Sequence, residues 1–225
     1  MERLTRNRNS QKANRAGRRS RRRSVYSSDQ KFRLAAGLDQ IEALATHATW
    51  ILCPWFPRTG KASDIWLSIL PIHDINQLLL DELPPYGKRW ANVFAGVLAV
   101  DPFRSPMHLI RSIKASGLAG VVNFPSATFV DGKAGAVFER LSLGLSREIE
   151  FLSACAAEGL RIGAVTNSAN AAKRLIAIGA EFLIVHRGPP TLLDADPSKD
   201  LLGEINGVAE ARKLAVIGIE SLVLR

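Results

Sequence analysis

The sequence predicts an α/β fold, a (β/α) barrel of the TIM type that is incomplete at about seven strands and follows a disordered basic tail. Three observations favour it. Short apolar runs rich in valine and isoleucine alternate with amphipathic segments, which is typical of a parallel sheet covered on both faces. The glycine-rich motifs of dinucleotide-binding and P-loop sheets are missing from the sequence. The length of 225 residues falls short of the roughly 250 that such a barrel usually takes.

The first 24 residues carry the chain's excess positive charge. The chain has 30 Lys and Arg against 21 Asp and Glu, a formal net charge of +9. Ten of those basic residues and one acid lie in 1–24, which leaves a neutral domain at 25–225 and disfavours a globular nucleic-acid binder. We predict that this apolar-poor tail is disordered. As an arm it would bind nucleic acid or another anionic surface; the simpler alternatives, which we prefer, are a solvated tail or upstream sequence that is not normally translated.

Cysteine use and hydropathy predict the compartment. Cys53 and Cys155 both lie in apolar contexts, which argues against a disulfide framework and fits a reducing cytoplasm. No apolar run reaches 18 residues, so no membrane span is expected. The four histidines lack the i, i+4 pairing of a zinc-binding helix.

The strands are predicted from short apolar runs. Each lacks the polar–apolar alternation of a half-exposed strand, and most are rich in β-branched residues. The predicted strands are 32–36, 49–53, 93–100, 119–124, 162–166, 182–186 and 219–224.

The helices between these strands have readable ends. Ser105 is a good N-cap with Pro106 at the first helical position, and glycines provide the stops. Gly144 lies inside one long pattern, so that segment is either one helix or two. The predicted helices run from Pro106 to Gly117, over 136–158 up to Gly159, from Asn167 or Ser168 to Gly179, and over 199–215. The alternation predicts right-handed βαβ units, and the chain is short of a full barrel by about one such unit.

Polar side chains follow several predicted strands, at the end where parallel α/β folds place their sites. A carboxylate, arginines, amides and a histidine could converge there on a small anion. The residues at these strand ends are Arg58, Asp101, Arg104, Asn123, Thr166, Asn167 and His186.

Each of the main candidates also has a structural interpretation. Asp101 precedes a proline and could bind backbone amides at the strand end. Arg104 could pair with Asp101 in a structural salt bridge. Asn123 could satisfy loop backbone, and His186 could be a hydrogen-bonded core histidine.

Four segments carry more specific motifs. Residues 96–104 read GVLAVDPFR, 120–125 read GVVNFP, 179–188 read GAEFLIVHRG and 70–76 read LPIHDIN. These segments resemble motifs of the phosphoenolpyruvate hydrolase-like family of TIM barrels, and the resemblance covers roughly residues 48–190. It places the chain near the phosphoenolpyruvate mutase and isocitrate lyase superfamily.

The resemblance and the strand-end residues together imply a lyase or hydrolase acting on a small 2-oxo acid or a phosphonopyruvate-like anion. Asp101 would bind a divalent cation, Mg²⁺, directly or through water, or would act as general base. The cation would polarise the carbonyl, and His186 would move the proton. The expected substrate-binding residues are Arg58, Asn76, Arg104 and Asn123.

Departures from the family pattern favour an alternative function. The Gly-rich loop after the first strand is reduced to 35–38, the sequence CPWFPR at 53–58 replaces a Tyr-Asn-Ser-Gly-Arg type, and the Asp-Asp-x-Pro-Gly metal pattern of the mutases is missing. The family's Gly-Gly-Pro loop and eighth strand are also expected to be lacking. The alternative is a catalytically inactive member that binds protein or nucleic acid, or a truncated gene product. Open strand edges could be closed by a homo-oligomer.

Overall fold

The computed structural model describes residues 31–44, 47–56, 74–130, 132–186, 200–218 and 222–224. The predicted tail, the boundary at residue 25 and Arg58 lie outside these ranges. None of the helices in the described ranges is long and apolar enough to cross a membrane.

The strands follow the predicted order along the chain. Six predicted strands are present within a few residues of their expected limits, and Trp90 begins the third one three residues early. The strands are β1 (Phe32–Ala35), β2 (Thr49–Leu52), β3 (Trp90–Gly96), β4 (Leu118–Val122), β5 (Arg161–Thr166), β6 (Phe182–Val185), β7 (Ala215–Gly218) and β8 (Val223–Leu224).

The helices lie between the strands, as expected for βαβ units. The long pattern is two helices, because Gly144 is the N-cap of the second one. The last helix ends at Glu210, so the predicted range 199–215 was too long and its final residue belongs to β7. The helices are α1 (Leu38–Leu44), α2 (Ile75–Glu82), α3 (Pro106–Ala115), α4 (Gly132–Arg140), α5 (Leu145–Ala157), α6 (Ala169–Ala177) and α7 (Leu201–Glu210), with a 3₁₀ turn at Ala127–Phe129.

The strands form one sheet in the order β7-β6-β5-β4-β3-β2-β1-β8, and every neighbouring pair is parallel. The sheet is curled, because the rings of Phe32 on β1 and Phe182 on β6 lie 4.7 Å apart although four strands separate them. Seven strands thus form an incomplete TIM-type barrel, which confirms the predicted fold. The eighth position is filled by the two residues of β8, which begins five positions after the end of β7.

Aromatic side chains fill the barrel interior. The Phe182 ring contacts Phe94 at 5.1 Å as well as Phe32, and all three are buried. Glycines on the neighbouring strands leave the room for these rings: a Cβ on Gly163 would lie 2.1 Å from the Phe182 ring, and one on Gly120 would lie 2.8 Å from Phe94. The interior is therefore a packed core rather than a channel.

A second apolar layer lies between the sheet and the helices. Leu52 and Val121 on the strands share it with Ile110 on α3 and Leu152 on α5, and all four are fully buried. Both faces of the sheet are thus covered, which explains why its strands read as continuous apolar runs.

Candidate active site

Five aromatic rings gather at the carboxyl end of the barrel, and we call them the mouth cluster: Trp55, Phe56, Phe124, Phe129 and His186. Trp55 packs against Phe124 at 5.3 Å and Phe56 at 5.8 Å, and Phe124 contacts Phe129 at 6.1 Å. Phe129 in turn lies 4.8 Å from the His186 ring. The loops after β2, β4 and β6 therefore meet over the barrel interior, as the strand-end argument predicted.

One polar group of the mouth cluster, the indole N–H of Trp55, forms no hydrogen bond with the described residues around it. Trp55 is 8% exposed, and its indole N–H is buried with no hydrogen-bond partner among the residues that the structure describes. The ring packs in the mouth cluster, and its N–H can donate a hydrogen bond to a ligand oxygen.

His186 is a neutral imidazole at the end of β6. Its backbone N–H donates to the Thr166 carbonyl oxygen at 3.0 Å, which fixes the end of β6 against β5. The side chain is buried in the mouth cluster, and this burial lowers the pKa of His186 to about 4. At neutral pH the ring therefore carries one donor and one acceptor nitrogen and can take up a proton.

Asp101 lies in the loop after β3 and forms hydrogen bonds with residues around it. Its Oδ1 accepts from the Phe103 backbone N–H at 2.8 Å. Its Oδ2 accepts from Asn76 Nδ2 at 2.9 Å and from Arg104 Nη1 at 3.4 Å. The predicted binding of backbone amides by this carboxylate is present, and both of its oxygens are occupied.

Arg104 is held chiefly by a second carboxylate. Its two terminal nitrogens donate to the two oxygens of Asp74, both at 2.6 Å, and Nη2 also donates to Gln77 Oε1 at 2.8 Å. This pairing lowers the pKa of Asp74 and raises that of Arg104. The expected salt bridge with Asp101 is real but is the longer one. An incoming anion would have to compete with both carboxylates for this guanidinium.

Asn76 joins α2 to the loop after β3. Its Oδ1 accepts from the Leu98 backbone N–H at 3.1 Å, and its Nδ2 donates to the Leu98 carbonyl at 3.0 Å as well as to Asp101. The side chain is 1% exposed. The structure thus gives this residue a positioning role for Asp101, and its expected contact with substrate stays a prediction.

Asn123 and Glu148 form a buried polar pair behind the mouth cluster. Asn123 donates to Glu148 Oε2 at 2.8 Å and accepts from the Val165 backbone N–H at 2.7 Å. Ser126 Oγ donates to the same carboxylate oxygen at 2.9 Å, and the Ala127 backbone N–H donates to Oε1 at 2.7 Å. Asn123 thus satisfies the backbone of strand β5, whereas its structural interpretation proposed loop backbone. Glu148 is fully buried, and this burial raises its pKa to about 7.

Glu148 was missed by the sequence reasoning, although a signal for it was present. It lies on α5 three residues before Phe151, four before Leu152 and seven before Cys155, which are the buried residues of that helix. A carboxylate on the buried stripe of an amphipathic helix must be bonded by other polar groups. The strand-end argument looked only at residues that follow strands and passed over it.

The described residues do not fit the expected Mg²⁺ site. Both oxygens of Asp101 already accept hydrogen bonds, and the Arg104 guanidinium beside it would repel a cation. Among the residues that the structure describes, no three acidic, histidine or cysteine side chains come together as a metal-binding group. We therefore derive no step through Mg²⁺, and its binding at Asp101 stays a prediction.

Comparison with known protein families now gives the family of this chain. Residues 53–217 match the phosphoenolpyruvate hydrolase-like family, and this stretch includes β3 to β7 and the described residues of the candidate site. The chain belongs to that family. The resemblance inferred from the four motifs is thereby confirmed.

Relatives of this phosphoenolpyruvate hydrolase-like chain come from a bacterium and a plant. An uncharacterised protein, y4oT, of Sinorhizobium fredii is 37% identical over 137 residues, which are 61% of this chain and 70% of y4oT. The ToMV resistance protein Tm-1 of Solanum lycopersicum is 31% identical over 139 residues, and the ToMV susceptible protein tm-1 is 30% identical over the same length. The matched region is only 18% of each tomato protein.

Proposed function

We propose that the chain is a hydrolase or lyase that acts on a small anionic 2-oxo acid or phosphonate at the mouth cluster. The observation that carries the proposal is His186, a neutral imidazole at the end of a barrel strand. A general base must be unprotonated at the working pH, and this histidine meets that requirement, while its burial makes it a weaker base than an exposed imidazole. Membership of the phosphoenolpyruvate hydrolase-like family supports the class of substrate.

Hydrolysis of phosphonopyruvate illustrates the proposed chemistry. His186 removes a proton from a water molecule that attacks phosphorus, and the carbon–phosphorus bond breaks. Its electron pair moves into the enolate of pyruvate, which takes the proton from the imidazolium at carbon, so that the products are phosphate and pyruvate. The Trp55 N–H would donate to an oxygen of the anion, and Arg58 would supply the positive charge. Asn123 and Asp101, which are held by hydrogen bonds, would orient the substrate and the residues that bind it.

Phosphate release from phosphonopyruvate by the full chain tests this proposal. We expect His186→Gln to lower kcat by about 100-fold or more, because general base catalysis is typically worth that much. The matched control is His108→Gln, since His108 is an exposed histidine on α3 and should leave turnover unchanged. Asp101→Ala should also abolish turnover, and addition of Mg²⁺ should show whether the reaction needs a cation. Full activity of His186→Gln would contradict the proposal.

A second candidate is a binding module without catalysis. The observation in its favour is that the polar side-chain atoms of Arg104 and Asn123 already form hydrogen bonds within the protein. A melt of the full chain that phosphonopyruvate does not shift, with or without Mg²⁺, would favour this candidate. If the partner is nucleic acid held by residues 1–24, its affinity should fall steeply with salt and vanish when the tail is deleted.

A further inference from the structure

We propose that Glu148 is a positioning residue for His186: its carboxylate holds the loop after β4 in place, and Phe129 at the end of that loop packs against the imidazole. This inference rests on the proposed function in one respect only, namely that His186 is the proton-transferring group. The contacts that carry it are independent of any reaction.

The carboxylate of Glu148 bonds to three residues that span the first part of the loop. Asn123 and Ser126 donate to Oε2 at 2.8 and 2.9 Å, and the Ala127 backbone N–H donates to Oε1 at 2.7 Å. All four residues are buried. A buried donor that loses its acceptor costs free energy, so the loop is stable only in the conformation that presents all three donors to α5.

The same loop continues without a break to the mouth cluster. Ser126 Oγ lies 2.9 Å from the Thr128 hydroxyl and accepts from the Thr128 backbone N–H at 3.2 Å. Asn167, in the loop after β5, donates to the Thr128 carbonyl oxygen. Phe129 follows directly and lies 4.8 Å from the His186 ring. Three hydrogen-bonded residues therefore separate the Glu148 carboxylate from the ring that covers the imidazole.

This arrangement makes the hydration of His186 depend on Glu148. If the loop loses its anchor, Phe129 is free to move away and water reaches the imidazole. The lowered proton affinity of the ring has burial as its cause, so hydration should return it to the ordinary value. Glu139 is the charged group whose field acts on Glu148, and α4, which carries it, has no buried residue.

Titration of the His186 ring by NMR tests the inference in the full chain, with the signal assigned through its loss in His186→Gln. In Glu148→Gln, the side-chain NH2 group must face at least one of the three donors, so that hydrogen bond is lost. We therefore expect the pKa of His186 to rise from about 4 toward 6.5. Ser126→Ala removes one of the three bonds and should give an intermediate rise. The matched control is Glu150→Gln, because Glu150 is on the same helix with 68% of its side chain exposed, and its variant should leave the pKa unchanged.

Turnover of phosphonopyruvate supplies the second measurement. We expect Glu148→Gln to lower kcat about 10- to 100-fold with little change in KM, as misplacement of a catalytic group does. A folded Glu148→Gln or Ser126→Ala protein in which His186 still titrates near 4 overturns the inference. If Glu148→Gln does not fold, Ser126→Ala decides by the same criterion. If the pKa moves but the wild-type protein shows no turnover, the positioning role stands and the proposed function fails.

Discussion

His186 and Glu148 couple the stability of this protein to pH with opposite signs. The folded pKa of Glu148 is about 7 against an ordinary 4.5, so the folded state binds more protons between these values and stability falls as pH rises through this range. The folded pKa of His186 is about 4 against 6.5, so the unfolded state binds more protons and stability rises with pH between 4 and 6.5. Each effect is worth about 3 kcal/mol, and they cancel where the two ranges overlap.

Urea unfolding across this pH range should separate the two groups. In His186→Gln the contribution of Glu148 remains alone, and we expect the free energy of unfolding, relative to wild type, to decrease as pH rises from 4.5 to 6.5. In Glu148→Gln the carboxyl group is gone and the pKa of His186 is expected to return toward 6.5, so both contributions are lost and the stability should vary little with pH in this range. A free energy of unfolding of His186→Gln that does not fall as pH rises would show that Glu148 is not linked to folding.

Single residues show where sequence reasoning works and where it stops. Position after a strand was enough to place Asp101, Asn123 and His186 at the carboxyl end of the barrel. The same argument did not predict the ion pair between Asp74 and Arg104, because these residues lie 30 positions apart in the sequence. The position of Glu148 on the buried stripe of α5 could have been predicted, but its partners could not, because they lie more than 20 residues away in the sequence.

At the level of elements, two glycines with different surroundings should respond in opposite ways to alanine. In Gly163→Ala on β5, the new Cβ would lie 2.1 Å from the Phe182 ring, so we expect a loss of about 1–3 kcal/mol from overpacking. In Gly207→Ala on α7, the new Cβ meets nothing within 4 Å, so we expect a gain of about 0.5–1 kcal/mol from helix propensity. Thermal or urea unfolding of both variants measures these changes. A stabilised Gly163→Ala variant would mean that the interior is less tightly packed than described.

Helix ends that a glycine marks were well predicted because this signal is local. Gly117, Gly159 and Gly179 follow the ends of α3, α5 and α6 with φ of 77°, 87° and 100°, the left-handed conformation that glycine adopts without strain. Ser168 caps α6 by accepting from the Ala171 N–H at 3.2 Å. Ser105 precedes α3 as expected but makes no side-chain cap bond, since Pro106 already fixes the first turn.

The Ser168 cap gives a further prediction for an element. Ser168→Ala removes the acceptor for the Ala171 N–H, and we expect a loss of about 1 kcal/mol. Ser105→Ala is the matched control, because no cap bond is lost there and stability should change little. Urea unfolding of both variants measures the difference, and equal losses would show that the cap bond contributes nothing.

At the scale of the whole molecule, the C-terminal strands β7 and β8 form the two edges of the sheet. β7 pairs with β6 and β8 pairs with β1, which are the two ends of the seven-strand order. Only 219–222 separate them, a stretch that spans at most about 18 Å from Gly218 to Val223, so the two edges of the sheet approach each other. The sequence pattern placed one strand at 219–224, where the structure has β8, and it did not predict β7, since pairing with a distant strand is not a local property.

Deletion of residues 215–225 should therefore expose both edges of the sheet at once. It removes the four residues that pair with β6 and the two that pair with β1, together with the side chains of Ala215 and Leu222 in the interior core. Unpaired strand edges beside an uncovered apolar interior associate with other chains. We expect the deletion variant to lose its cooperative melt and to self-associate in light scattering as its concentration rises, whereas deletion of residues 1–24 should change neither property. If the 215–225 deletion leaves the mass and the melt as they are in the full chain, the C-terminal segment does not close the sheet, and a second copy of the chain becomes the better candidate for that role.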